Sequence, residues 1–380
     1  MSKATEASSF RRLVGLFTSS LSSTTDNNIT TAITSSKSKS ETRKLQKLAS
    51  KFKQCSESNK FRNNYKKTYA LTVHRLASAK QFSLIDDILQ HQKKYKEICQ
   101  EGFVIRLIML YGKAGMFEYA QKLFDEMPEL KCDRTVKSFN ALLSAVVHSK
   151  KFDKAGKLLE QLPEKVGIEP DLISYNTVIK AFCEMGSMDS AFSVVDTLEK
   201  KGLGPDIVTF NTLLDGFFSK GRIADGEEIW GLMERKNVVP NIRSYNSKLR
   251  GLVSENMMLK AVEMWEEMES KGIQPDVHSY TALITGYCND GNLEQVKKWY
   301  SELKKSFLPD RVTYLTLISF LRKENELEMA LELCKEATDR RLIAGAAFID
   351  GLVKELRIEE AIQLVESGLS RYALKLKFPS

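Results

Sequence analysis

The sequence predicts an all-α protein, an α-solenoid of about nine helix-turn-helix units of 35 residues, on three observations. Pro170, Pro205, Pro240 and Pro275 are spaced by 35 residues and Pro309 follows after 34. Each is followed by Asp or Asn, at Asp171, Asp206, Asn241, Asp276 and Asp310. Each interval holds two apolar stripes at helical spacing, split by a short polar turn that carries Gly or Asn. A fixed period of this size marks stacked supersecondary units, none of which can bury its own apolar stripes alone.

The elements follow in order. Residues 1–40 hold 18 Ser/Thr, five Lys/Arg and only Glu6 and Asp26 as acids. Phe10, Leu13, Val14, Phe17 and Leu21 form one helical stripe beside Arg11 and Arg12. This composition fits an organellar transit peptide, expected to address the mitochondrial matrix, with the plastid as the alternative; the other reading is an ordinary disordered tail. Residues 41–65 are expected to be a basic capping helix and linker. Arg43, Lys44, Lys47, Lys51, Lys53, Lys60, Arg62, Lys66 and Lys67 stand there against Glu41 and Glu57, with Leu45, Leu48 and Phe52 as the apolar stripe. Such a block suits a phosphate backbone through counterion release, or is simply a solvated charged helix.

The repeated units are expected at 66–100, 101–135, 136–171, 172–206, 207–241, 242–276, 277–310, 311–341 and 342–376, with a tail at 377–380. In 172–206, Tyr175, Val178, Ile179 and Phe182 make the first stripe; after the turn at Gly186, Ala191, Val194, Val195 and Leu198 make the second. Unit 136–171 carries one inserted residue and 311–341 is about four short. The Gly-x-Pro-Asp ending is expected to stop the second helix. Ala120, Ala155, Ala191, Ala261, Ala330 and Ala361 recur where two helices would cross closely.

Composition excludes several classes. With 8 prolines and 20 glycines in 380 residues the chain is neither collagenous nor a linker. No stretch approaches eighteen uncharged apolar residues, so no transmembrane helix and no membrane partner are expected. Six scattered cysteines do not make a disulfide scaffold. The net charge of +8 is uneven: residues 1–100 hold 19 Lys/Arg against 7 Asp/Glu, and the remainder 38 against 42. His74, His91, His148 and His278 are isolated, without an HxE or CxxC pattern, so no enzyme, metal site, cofactor or small-molecule substrate is expected. Cys183 and Cys288 read as small core residues. Asp86-Asp87 and Glu266-Glu267 read as solvated faces, and Trp230, Trp265 and Trp299 as packing between units.

The first stripe opens on a recurring [ST]-[YF]-N, at Ser138-Phe139-Asn140, Ser174-Tyr175-Asn176, Thr209-Phe210-Asn211 and Ser244-Tyr245-Asn246. With the period of 35 and the Pro-Asp ending, residues 66–376 resemble the pentatricopeptide repeat family, in its P class, rather than the 34-residue tetratricopeptide arrays. The resemblance implies a right-handed α-solenoid that binds single-stranded RNA, one repeat per nucleotide. It implies that the fifth and last residues of each repeat read the base: Asn140 with Asp171, Asn176 with Asp206, Asn211 with Asn241, Asn246 with Asp276, and Thr281 with Asp310. The implied site is 5′-U-U-Y-U-G-3′. Asn and Thr offer donors and acceptors to a base edge, and a neighbouring Asp can hold them in place. Ala70/Gln100, Ile105/Thr135 and Leu315/Arg341 fall outside that pattern. At the second position Ile173 and Val208 are of the base-sandwiching type, whereas Lys137, Arg243 and His278 suit a phosphate or an acidic surface. Asn and Asp also favour helix N-termini, so the recurring Asn is alternatively part of a cap.

The Ser/Thr-rich start, the block KLQKLASKFKQCSESNKFRNNY, the run RTVKSFNALLSA and the ending ALKLKFPS further resemble a small plant group of short pentatricopeptide repeat proteins associated with the mitochondrial ribosome, in its small subunit. That resemblance implies a non-enzymatic constituent that contacts rRNA and mitochondrial ribosomal proteins. Two alternatives stay open: a free organellar factor that binds one mRNA near a U-U-Y-U-G-like site, and a protein-binding scaffold, which suits the acidic balance of residues 101–380.

Overall fold

The computed structural model describes residues 29–340 and 342. Among them are 18 α-helices, three short 3-10 helices and no strand. The all-α class therefore holds. Residues 1–28 of the expected targeting stretch and, Leu342 apart, the expected unit 342–376 and tail lie outside the described residues. The chain divides into two compact units, one spanning Asp26–Pro240 and the other beginning at Asn241.

In the first unit, helix α1 (Ile29–Cys55) starts inside the stretch assigned above to targeting. It is followed by α2 (Asn59–Asn64), α3 (Lys66–Ser78) and α4 (Phe82–Gln90), then by 3-10 turns at His91–Lys94 and Lys96–Cys99. The stripe of α1 is buried as its spacing demands: Leu45, Ala49 and Phe52 face inward, and the Phe52 ring meets Tyr69 edge-on at 4.7 Å. Four hairpins follow: α5 (Glu101–Lys113) with α6 (Phe117–Asp125), α7 (Val136–His148) with α8 (Ala155–Val166), α9 (Leu172–Met185) with α10 (Met188–Lys200), and α11 (Ile207–Ser219) with α12 (Ile223–Arg235). The first helices stack in order, α5 on α7, α7 on α9 and α9 on α11.

That stacking depends on small residues. A Cβ on Gly216 of α11 would lie 2.5 Å from the Cys183 sulfur of α9, so only glycine lets the two helices approach this closely. Cys183 is buried, and burial pushes its thiol up to about 12, in keeping with a small core side chain.

The second unit holds α13 (Ile242–Ser254) with α14 (Met258–Ser270), α15 (Val277–Asn289) with α16 (Leu293–Ser306), and α17 (Arg311–Lys323) with α18 (Leu327–Asp339). Trp265 of α14 packs edge-on against Tyr280 of α15 at 4.8 Å and Trp299 of α16 at 4.9 Å. Indole rings thus lock neighbouring hairpins together, contributing about 0.5–1.5 kcal/mol per pair beyond the area they bury.

Two sequence expectations need correction. The second helices end before the proline. In α10 the stop is Gly202, in the left-handed region at φ 76°, where the Leu203 amide donates back to the Leu198 carbonyl at 3.1 Å; Pro205 lies in the extended run beyond. The paired acids are not plain solvated faces either. Asp86 accepts a hydrogen bond from the Tyr111 hydroxyl at 2.8 Å, Asp87 pairs with Lys53, and Glu267 pairs with Lys271 at 2.7 Å.

Candidate nucleic-acid interface

The ladder residues are N-caps. Asp171 begins α9 in extended backbone, and its Oδ1 accepts the Ser174 amide at 2.9 Å, while the Asp171 amide donates to the Ser174 hydroxyl at 3.2 Å. The same reciprocal box recurs at Asp206 with Thr209, Asn241 with Ser244, and Asp276 with Ser279. Asn176, Asn211 and Asn246 lie beyond their own caps, so the recurring Asn is not a capping residue.

Its partners are in the next hairpin. The Asn140 amide nitrogen donates to Asp171 Oδ1 at 2.9 Å, and the Ser174 hydroxyl donates to Asn140 Oδ1 at 2.6 Å. Asn176 meets Asp206 and Thr209 in the same way, at 3.4 and 2.7 Å. Asn246 meets Asp276 and Ser279 at 3.0 and 2.6 Å. In these three sets all the carboxylate's hydrogen bonds among the described residues fall on Oδ1. Each set therefore presents one carboxylate oxygen, Oδ2, and one amide N–H without a protein partner, on an amide whose orientation two bonds have already settled. Burial pushes the Asp276 carboxyl up, but the Ser279 amide, the Asn246 amide and the Ser279 hydroxyl outweigh this and hold it below its ordinary value.

The other two expected pairs differ. Asn211 and Asn241 belong to different units; Asn211 is buried, and Asn241 caps α13. The Thr281 hydroxyl lies 2.7 Å from the Thr313 hydroxyl, which in turn lies 2.8 Å from Asp310 Oδ1. Threonine is shorter than asparagine, and here Thr313 bridges to the carboxylate. Outside the pattern, Glu101 substitutes for the missing acid before α7. Its carboxylate accepts from the Thr135 amide and hydroxyl and the Ser138 amide, at 3.0, 2.7 and 3.2 Å.

Beside each set stands an exposed second-position side chain. Ile173, Val208 and Val312 expose 62%, 49% and 56% of their surface, and Lys137, Arg243 and His278 are also exposed. In the second unit, His278 and Val312 flank a cavity of about 410 Å³ that Thr281 and Thr285 also line. Such a slot, with apolar walls and a hydroxyl on the lining, suits a flat heterocycle. Thr281 and Asn246 expose only 6% and 5% of their surface, so each offers a ligand an edge and no more.

The PPR repeat family profile matches residues 134–184, 170–217, 205–254, 240–289 and 275–323, and single PPR repeats match 106–132 and 312–342. The chain belongs to the pentatricopeptide repeat family. Among relatives of this pentatricopeptide repeat protein, the Arabidopsis thaliana pentatricopeptide repeat-containing protein At3g13150 is 58% identical over 149 residues, 39% of this chain and 27% of that protein. Small ribosomal subunit protein mS78 (rPPR3a), also of Arabidopsis thaliana, is 50% identical over 157 residues, 41% of this chain and 39% of that protein. The Arabidopsis thaliana pentatricopeptide repeat-containing protein At2g18520, mitochondrial, is 38% identical over 172 residues, 44% of this chain and 41% of that protein. In each case the match spans less than half of the relative's length.

The basic block of this pentatricopeptide repeat protein is divided by the fold. Arg43, Lys44, Lys47, Lys51, Lys60, Lys66 and Lys67 are exposed. Arg62, proposed above as a phosphate contact, is corrected: it is buried and donates to Glu97 at 2.9 Å and to the Ser56 carbonyl at 2.6 Å. Its guanidinium holds the Glu97 carboxyl below the ordinary range. Lys53 is half-buried and tied to Asp87. Lys53 thus ties α1 to α4, and Arg62 ties α2 to the 3-10 turn at Lys96–Cys99. Sequence reasoning also missed Ser174, Thr209 and Ser279 as the groups that orient each Asn. Their signal was the recurring [ST]-[YF] at the start of each first helix, followed by Asn at Ser174 and Thr209 and by Thr at Ser279. Among the described residues no three His, Cys, Asp or Glu side chains are grouped to hold a metal ion, and no helix is long and apolar enough to cross a membrane.

Proposed function

We propose that this chain is a non-enzymatic RNA-binding protein of the mitochondrion and a constituent of the ribosomal small subunit that contacts rRNA. The observation that carries the RNA reading is the repeated set of an Asn fixed by the next hairpin's Asp and Ser/Thr beside an exposed second-position side chain. Three such sets, at Asn140, Asn176 and Asn246, present the same unsatisfied donor and acceptor. That is an arrangement suited to reading base edges; the 5′-U-U-Y-U-G-3′ assignment is carried over from the family resemblance of the five pairs. The ribosomal reading is supported by the likeness to mS78, named as a small ribosomal subunit protein. The mitochondrial reading is supported by the likeness to a relative named as mitochondrial and by the Ser/Thr-rich, acid-poor first forty residues. The exposed Lys and Arg of α1 to α3 supply the phosphate contacts, which are blind to sequence.

Sucrose-gradient fractionation of mitochondria, followed by RNA crosslink mapping, tests this. The chain is expected with the small ribosomal subunit after a high-salt wash, with crosslinks in rRNA. A chain left in the light fractions while ribosomes stay intact would overturn the ribosomal reading. Crosslinks concentrated at a U-U-Y-U-G-like site in one mRNA would favour the free factor, which the tandem run of readable pairs also suits.

A further inference from the structure

Helix α8 is packed unlike its counterparts. Of its residues only Ala155 and Pro163 are buried, whereas α10 buries Met188, Ala191, Val194, Val195 and Leu198. Leu158, Leu159, Leu162 and Val166 of α8 are left half-exposed. The sequence supplies the reason. The unit 136–171 carries one extra residue, Pro163 removes an N–H from the helix interior, and a 3-10 turn at Phe152–Lys154 displaces the helix start. Two cavities flank the helix as a result. One of about 330 Å³ lies toward Phe117, and one of about 710 Å³ lies between α8 and α10.

The larger cavity has a definite chemistry. Leu159, Pro163, Phe182, Val194 and Leu203 give it apolar walls. Its charged lining is Glu160, Glu164, Glu169 and Asp171 against the single cation Lys201. Among the described residues Glu160, Glu164 and Glu169 form no salt bridge. Glu160 and Glu164 stand four apart on one helix face, a like-charged pair that costs the helix about 0.2–0.5 kcal/mol. A phosphate backbone would be repelled by this rim. A polypeptide bearing an apolar side chain between lysines or arginines would fill the walls and neutralise the carboxylates together.

We infer that the cleft between α8 and α10 is a docking site for a basic segment of a partner protein, which inserts an aliphatic or aromatic side chain beside Leu159 and pairs Lys or Arg with Glu160, Glu164 and Glu169. The cleft shares Asp171 with the set that holds Asn140, but Leu159, Glu160, Glu164 and Glu169, on which the docking rests, belong to no base-facing set. It stands whether or not the chain reads RNA.

The test uses the full chain and a fluorescein-labelled amphipathic peptide of leucine and lysine, with a leucine–glutamate peptide as control. Fluorescence anisotropy is expected to show saturable binding of the lysine peptide that Glu160→Lys with Glu164→Lys weakens at least tenfold. Both glutamates are exposed, so charge reversal leaves the core intact, and an unchanged circular dichroism melt verifies this. Leu159→Asp is expected to weaken binding similarly and Leu159→Met to restore it. A photoreactive leucine in the peptide should crosslink to α8 or α10. Equal affinity for the charge-reversed protein, equal binding of the glutamate peptide, or a crosslink elsewhere overturns the proposal. So would displacement of the peptide by a uridine-rich oligonucleotide, or a dimer of the chain that Glu164→Lys dissolves.

Discussion

Ser174 donates its hydroxyl proton to Asn140 Oδ1 across 2.6 Å, and the two residues belong to successive hairpins. The same serine closes the capping box of α9 with Asp171. One hydroxyl thus joins helix capping to the orientation of a side chain that would meet RNA. Ser174→Ala is expected to cost about 1 kcal/mol in stability through the lost cap and hydrogen bond. It should also loosen the Asn140 amide and reduce discrimination at that base by several-fold. Ser174→Thr should retain both properties, because Thr209 makes the equivalent bond to Asn176 at 2.7 Å. Urea denaturation and anisotropy with single-base RNA variants read the two effects.

Asp276 supplies a pH test. Its carboxyl is lower folded than in the ordinary state, where it is 3.8. A carboxyl lowered on folding adds stability above its unfolded value and loses it as the pH falls through the folded one. The contribution is therefore whole at neutral pH and fades below 3.8. Asp276→Asn keeps the cap, as Asn241 does by accepting the Arg243 amide at 3.0 Å. The melting-temperature gap between wild type and Asp276→Asn should be small but positive at pH 7 and should shrink as the pH falls below 3.8. A gap that widens in acid would refute this sign.

Arg62 and Glu97 are both buried, and Arg62 reaches the Ser56 carbonyl as well. Glu97→Ala leaves a buried cation without its partner, which costs about 3–5 kcal/mol. The loss should appear as faster hydrogen exchange in α2 and α3 before any change in the second unit, since contacts in repeat arrays run mainly between neighbours.

The exposed cations should behave oppositely. Lys44→Ala, Lys47→Ala and Lys51→Ala are expected to leave stability within about 0.5 kcal/mol. Each that touches a phosphate should lower the slope of log affinity against log salt by about 1. Nitrocellulose filter binding across a salt series checks this, and an unchanged slope for all three would remove the basic block from the interface.

Gly216→Val tests the close stacking of first helices. A Cβ there meets the Cys183 sulfur at 2.5 Å, and backbone as well as side chain must shift. The expected cost is about 1–3 kcal/mol, measured by thermal melting, with Cys183→Ala in the same chain recovering part of it.

The hairpin periodicity, the pentatricopeptide class and the polar row were legible in the sequence because each is a local pattern. Pro-Asp marks the cap, [ST]-[YF]-N marks the first turn, and stripes such as Tyr175 to Phe182 mark one buried face. Where the reading of side-chain contacts fell short, the deciding partner was distant in the chain. Nothing near Arg62 separates it from the exposed Lys60. Only the return of the chain at Glu97 does so. Thr281 was paired with Asp310 by register alone, whereas the reach of its short side chain hands that contact to Thr313. Gly202 rather than Pro205 stops α10, because a left-handed residue satisfies the last carbonyls before the proline is reached.

By itself, then, the sequence determined the period and, Arg62 apart, which residues face inward, since helical spacing acts within a turn or two. Tertiary structure alone decided that Asn140 is held by Ser174, that Arg62 is buried against Glu97, and that α8 stands off from α10 with an acidic cleft beside it. Those depend on stacking one hairpin on the next. Stacking brings together side chains about one repeat apart, 34 residues for Asn140 and Ser174 and 35 for Arg62 and Glu97, at distances no local pattern encodes.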